Sequence, residues 1–131
     1  MSDAHERNRP AAHPKQESLR QQIRDGDIDT LIVALTDMQG RLMGKRVQGQ
    51  AFLNGAIDPG AHFCSYLLGT DMEMNTPEGF ALMNWQTGYG DWIADPVWDT
   101  MRVVPWLEKT ASSRAYRIIP PRKWRIVADI P

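Results

Sequence analysis

Apolar residues are scarce at the start of the chain and then arrive in short, separated blocks. Residues 1 to 17 carry prolines, small residues and charges with almost nothing to bury, so they are expected to be a disordered tail. Ser18 stands as an N-cap before Leu19–Arg24, with Leu19 and Ile23 four apart on one face and Gly26 as the stop. The run from Asp29 to Asp37 is near-continuously apolar and β-branched, the pattern of a buried strand. Asp37-Met-Gln-Gly40 has turn chemistry, and Arg41–Val47 then reads as the returning strand of a hairpin. Gln50–Gly55 gives one helical turn. Ala61–Leu68, Asp91–Asp95 and Thr100–Trp106 are expected strands, the last two parted by the turn-prone Asp95-Pro96. Residues 69 to 90 hold Gly69, Pro77, Gly79, Gly88 and Gly90 and read as one long loop, which in a compact domain points to function or partner contact. The sum is a small α+β domain, a mixed sheet with one short helix across it.

Composition bounds the function without naming it. The chain has 131 residues and a formal net charge of −1, so no global field draws it to nucleic acid or to an anionic membrane. No apolar run approaches the ~20 residues of a membrane span, and the N-terminus does not read as a signal peptide. One cysteine, Cys64, excludes an internal disulfide framework, and a reducing cytoplasmic setting is the simplest reading. The charge is uneven: residues 112–131 hold five basic side chains and one acid, whereas the rest is acidic by five.

Candidate chemistry is sparse. Phosphate-binding glycine loops and nucleophile elbows are missing. His5 and His13 fall in the tail, and His62, in a strand, is more often structural than a ligand or base. Cys64 is expected to pack rather than react. Asp71, Glu73 and Glu78 cluster in the long loop; carboxylates can bind Mg²⁺ or move protons, but a solvated loop is the commoner case. Four tryptophans, Trp85, Trp92, Trp98 and Trp106, fall within 22 residues, more than so small a domain buries, so some are expected to meet another surface.

Five stretches together resemble the amino-terminal β-grasp domain of the glutamine synthetase family. They are Thr36–Arg46, Gly60–Leu67, Thr70–Asn75, Gly88–Asp91 and Asp99–Trp106, in family order, and they place that domain at residues 18–111. Asp37, Gly40 and Gly44 are then the hairpin motif, with Asp91, Asp99 and Arg102 as structural positions beside strand ends. The resemblance implies an ATP-dependent amide ligase joining glutamate to ammonia or an organic amine, with Mg²⁺ or Mn²⁺. It implies a ring in which this domain packs on the catalytic domain of a neighbouring subunit and completes one wall of its site. Cys64, Ser65 and Asp71 are the implied wall residues. The metal and nucleotide sites belong to a catalytic domain that does not fit after residue 111, so the chain alone is expected to be non-catalytic, with no metal or nucleic acid of its own.

Ammonia-using members of the family carry Asp after the Phe of the strand-end motif, where it binds ammonium. This chain has Cys64 after Phe63, which resembles the subgroup that γ-glutamylates organic amines. An alternative from another class is a stand-alone module that docks on a full-length paralogue and regulates it. The resemblance stops near residue 112. Residues 112–131 are either a shifted reading frame or a divergent native tail, with a strand possible at Ala115–Ile119.

Overall fold

The computed structural model describes residues 12–58, 60–81, 84–86, 88 and 90–119. The expected tail up to residue 11, including His5, and the last twelve residues of the basic tail lie outside them.

Helix α1 spans Pro14–Arg24, so it begins four residues before the expected Ser18 cap and takes in part of the stretch expected to be disordered. The reason is local. Pro14 holds the first helical position, where its missing N–H costs nothing. His13 supplies the cap, its Nδ1 accepting from the Lys15 N–H at 3.2 Å. Gly26, at φ +80°, ends the helix as expected. Leu19 is fully buried on the inner face.

Strand β1, Thr30–Thr36, alternates a buried Leu31, Val33 and Leu35 with a half-buried Ile32 and Ala34. It pairs antiparallel with β2, Leu42–Gln48, to make the expected hairpin. Helix α2, Gly49–Leu53, follows and drops Phe52 into the core. Strand β3 covers only Ala61–Cys64; the expected strand to Leu68 gives way to a 3₁₀ turn at Ser65–Leu68. Strand β4 is Asp91–Pro96. Asp95-Pro96 is therefore inside a strand, not a turn between two. The pairing of β4 with its neighbour shifts register there, the place where a residue without N–H is tolerated in a sheet. A second 3₁₀ turn, Trp98–Thr100, shortens the expected strand that follows to β5, Arg102–Val103.

Strand β6, Thr110–Ile119, is the largest departure from expectation. It begins five residues before Ala115, crosses position 112 without a break, and is the middle strand of the sheet. The order is β2-β1-β6-β4-β3, with β5 also on β6. β6 runs parallel to β1 from Thr110 to Arg114 and then antiparallel to β4. The fold is α+β, a β-grasp-like mixed sheet of six strands with α1 packed across it.

The core draws Leu19, Ile28, Leu31, Val33, Leu35, Phe52, Ile57, Phe63 and four alanines from every layer. Burying each large apolar side chain contributes about 1.5–3 kcal/mol. Trp98 packs against Phe52 with the rings tilted by 52° and 5.8 Å between centroids, and the Arg20 guanidinium lies over the Phe52 ring at 4.8 Å. Trp85 and Trp106 remain 71% and 80% exposed, so the four tryptophans do not share one core.

Candidate functional site

Two of the stretches that carry the resemblance meet where the β1–β2 turn touches residues 70–75. The turn is built around Asp37, whose carboxylate is shielded from solvent. Its Oδ1 accepts the N–H groups of Gln39 and Arg41 at 2.9 and 2.8 Å, and its Oδ2 takes Arg41 Nε at 2.7 Å. Gly40 closes the turn at φ +81°, a conformation only glycine adopts freely. Burial by itself would raise the Asp37 pKa. The hydrogen bonds from Arg41 and Gln39 and the Arg41 charge outweigh it, so the carboxyl sits below its ordinary value.

Gly44 permits β2 to lie against β1. A Cβ there would stand 2.7 Å from the Val33 carbonyl oxygen, closer than any side chain tolerates. The close backbone approach expected at this glycine is therefore present.

Arg41 leaves the turn and reaches the segment 70–75. Its Nη1 donates to the Met72 carbonyl at 2.9 Å and its Nη2 to the Asp71 carbonyl at 3.2 Å. Gln39 Nε2 donates to the Thr70 carbonyl at 3.2 Å. Gln39 and Arg41 lie inside the Thr36–Arg46 stretch, but the candidate positions there were Asp37, Gly40 and Gly44. The available signal was the opposite charge of Asp37 and Arg41 on either side of a four-residue turn.

Asp71 organises its own turn. Its Oδ1 accepts from the N–H groups of Glu73 and Asn75, and its Oδ2 from Asn75 Nδ2, at 2.8–3.0 Å. The Asn75 side-chain bond, above all, holds the Asp71 pKa below its ordinary value. These bonds engage the carboxylate in shaping the loop.

Cys64 and Ser65 lie at the end of β3 and point to different surroundings. Ser65 is buried; its N–H donates to the Gly90 carbonyl at 2.7 Å and its Oγ accepts the Gly90 N–H at 3.1 Å. Cys64 is only half-buried, contrary to the packed position expected of it. Strand alternation explains this: Ala61 and Phe63 face the core, so His62 and Cys64 face the other way. Asp91 sits across the ladder from Cys64 on that outer face, with its Oδ2 3.8 Å from His62 Nδ1.

The remaining motif positions are dispersed. Asp99 receives His13 Nε2 on its carboxylate at 3.1 Å and Lys15 Nζ on its carbonyl at 2.7 Å, which clips the start of α1 to the 3₁₀ turn. Arg102 is exposed on β5, opposite Ser112. It borders a groove of about 600 Å³ on the outer face of the sheet, floored by Ile32 and Ala34 and rimmed by the exposed Leu42, Val103 and Trp106.

Among the described residues, three or more His, Cys, Asp or Glu side chains nowhere converge as a metal site would require. No helix among the described residues is long and apolar enough to cross a membrane.

No protein-family model matches the sequence. The γ-glutamylethanolamide synthetase of Streptomyces coelicolor is 46% identical over 101 residues, which are 76% of this chain and 21% of that protein. The glutamate–isopropylamine ligase of a Pseudomonas species is 35% identical over 94 residues, 72% of this chain and 20% of that one. The chain thus spans about a fifth of the length of these relatives. Among solved structures, GmaS bound to ADP superposes with a TM-score of 0.52 at 22% identity, covering 74% of this chain and 19% of that chain. GmaS without ligand gives 0.53 at 21% identity, covering 74% and 20%. Likeness at that identity speaks for the fold; the sequence relatives speak for descent. The chain belongs to the glutamine synthetase family, as an amino-terminal β-grasp domain.

Proposed function

We propose that this chain is the amino-terminal part of an ATP-dependent ligase that joins glutamate to an organic amine, and that it supplies a wall to an active site built mostly by another domain. The 46% identity to a γ-glutamylethanolamide synthetase carries the reading. Cys64, Ser65 and the Asp71 loop are the wall, and the catalytic domain of a neighbouring subunit in a ring is the partner. The outer groove beside Leu42, Val103 and Trp106 supports a partner, because an apolar sheet face of this kind is normally covered in an assembly. ATP and its divalent metal ion belong to the partner domain. The single cysteine suits a reducing, cytoplasmic setting.

The preference for an organic amine rests on the resemblance: Cys64 follows Phe63 where the ammonia-using members carry an ammonium-binding Asp, and both curated relatives are named for organic amines. Among the described residues no His, Cys, Asp and Glu cluster could hold the metal ions on which phosphoryl transfer depends, and the chain alone is expected not to turn over.

The test begins with the gene. Sequence is read from the Pro105 codon through several hundred bases downstream, in all three frames. A frame that continues into glutamate-bearing catalytic segments supports the reading. The protein it encodes is then assayed for phosphate release with glutamate, ATP, Mg²⁺ and either ethanolamine, isopropylamine or ammonium. Clear preference for an organic amine is expected; equal turnover with ammonium overturns the role given to Cys64. Absence of any such frame overturns the ligase assignment for this locus.

A further inference from the structure

We propose that Arg41 is a positioning residue that acts through the 70–75 loop, fastening it to the β1–β2 turn and so fixing the wall that the loop presents. The function of the wall rests on the ligase reading; the fastening stands on the geometry of this chain alone.

The two ends of the fastening differ in rigidity. At one end the Asp37 carboxylate is shielded and already holds two backbone N–H groups of a turn locked between paired strands. At the other end Met72, Glu73, Met74 and Asn75 are all exposed. Between them lies one planar guanidinium. Its Nε is held by Asp37, its Nη1 by the Met72 carbonyl, and its Nη2 by the Asp71 carbonyl and, at 3.7 Å, by Met74 Sδ. A fork with three nitrogens in fixed directions makes that pattern; a lysine ammonium, a compact point charge on a flexible stem, does not.

The loop itself is not relaxed. Met74 has φ +66°, in the left-handed region that a residue with a Cβ adopts at a cost. The Asp71 turn supplies local hydrogen bonds but no link to the sheet. Arg41 supplies that link, with Gln39 as a second, weaker strut through the Thr70 carbonyl.

The test is amide hydrogen exchange on the 131-residue chain, read at Asp71, Glu73, Met74 and Asn75 and at the paired amides of β1 and β6. Arg41→Ala and Arg41→Lys are each expected to speed exchange at the loop amides at least tenfold while the strand amides keep their rates. Millimolar methylguanidinium is expected to restore slow exchange in Arg41→Ala and to change nothing in the wild type, a rescue that a merely packed side chain would not show. Unchanged loop exchange in both variants overturns the proposal, since the Asp71 turn would then suffice. An equal acceleration in β1 and β6 overturns it too, since Arg41 would then serve the whole fold. Should Arg41→Ala fail to fold, Arg41→Lys and Gln39→Ala decide: selective loop acceleration supports the fastening, and none overturns it. Exchange reads the loop whether or not a ligase site lies beside it, so failure of the amine-ligase assay leaves this result standing.

Discussion

Ser65 and Gly90 exchange two hydrogen bonds across a 24-residue excursion of the chain. The Ser65 N–H reaches the Gly90 carbonyl at 2.7 Å, and the Ser65 Oγ takes the Gly90 N–H at 3.1 Å. This stitch extends the β3–β4 ladder by one step and draws together the two ends of the long loop. Removing the hydroxyl leaves the Gly90 N–H without its partner beside a buried position, and an unsatisfied buried donor costs about 1–3 kcal/mol. Ser65→Ala is therefore expected to lower the unfolding free energy by about that amount. Ser65→Thr, which keeps the oxygen, is expected to retain more of it. Urea unfolding measures both, and an alanine variant as stable as the wild type would show that solvent replaces the serine.

The two loop carboxylates are expected to contribute to the acid sensitivity of the fold. Asp37 and Asp71 both lie below their ordinary value of 3.8 in the folded chain. At Asp37 the lowering wins against burial; at Asp71 it comes chiefly from Asn75. A lowered folded pKa means that the native state binds fewer protons than the unfolded chain, so stability rises with pH in that range. The contribution is complete above the unfolded value and is lost as pH falls through the folded one. Unfolding free energy is thus expected to be flat from about pH 5 to 7 and to drop steeply below about pH 4. Asp37→Asn is expected to be less stable at neutral pH and to show a shallower acid slope. Denaturant titrations between pH 2 and 7 check this, and an undiminished slope in the variant would assign the acid sensitivity elsewhere.

Two glycines of the hairpin separate strain from crowding. At Gly44 an added Cβ meets the Val33 carbonyl oxygen at 2.7 Å, whereas at Gly40 it meets open space but a φ of +81°. Crowding against backbone forces the two strands apart, and overpacking of this kind costs about 1–3 kcal/mol. Left-handed backbone costs a residue with a Cβ about 1–2 kcal/mol. Gly44→Ala is expected to lose hairpin pairing as well as stability, and Gly40→Ala to lose stability alone. Thermal unfolding with backbone chemical shifts of β1 and β2 distinguishes them. Equal shift changes in both variants would mean that the strands give way at either site.

The hairpin was legible in the sequence because its determinants are local. Asp37, Gly40 and Gly44 act within a few residues, and an apolar run before a turn names its own strand. The strand β6 was only partly legible. Its residues Thr110–Arg114 are small or polar, with buried Ala111 and Ser113, and their strand character comes from lying between β1 and β5 rather than from their own propensity. The start of α1 was missed because His13 is a poor cap by type; it serves here because its second nitrogen is held by Asp99, 86 residues away. Of the candidate site, the positions were legible and the fastening was not. Arg41 pairs with Asp37 four residues back, which sequence shows, but its hold on Met72 and Asp71 depends on where the fold sets the loop.

The outer face of the sheet offers the last test. Leu42, Val103 and Trp106 are 61%, 52% and 80% exposed around a groove of about 600 Å³ floored by Ile32 and Ala34. Exposed side chains away from core and caps change stability by no more than about 0.5 kcal/mol when replaced. Contiguous apolar surface, by contrast, binds apolar dyes and drives association. Trp106→Ser with Val103→Thr is therefore expected to leave the urea midpoint nearly unchanged and to cut the fluorescence of bound anilinonaphthalene sulfonate by about half or more. The wild-type chain is expected to self-associate with rising concentration in sedimentation velocity, and the double variant to do so less. A large loss of stability would show that Trp106 packs as part of the core. Unchanged dye binding would place the sticky surface elsewhere, with the exposed Met38, Met72 and Met74 around Arg41 as the next surface to alter.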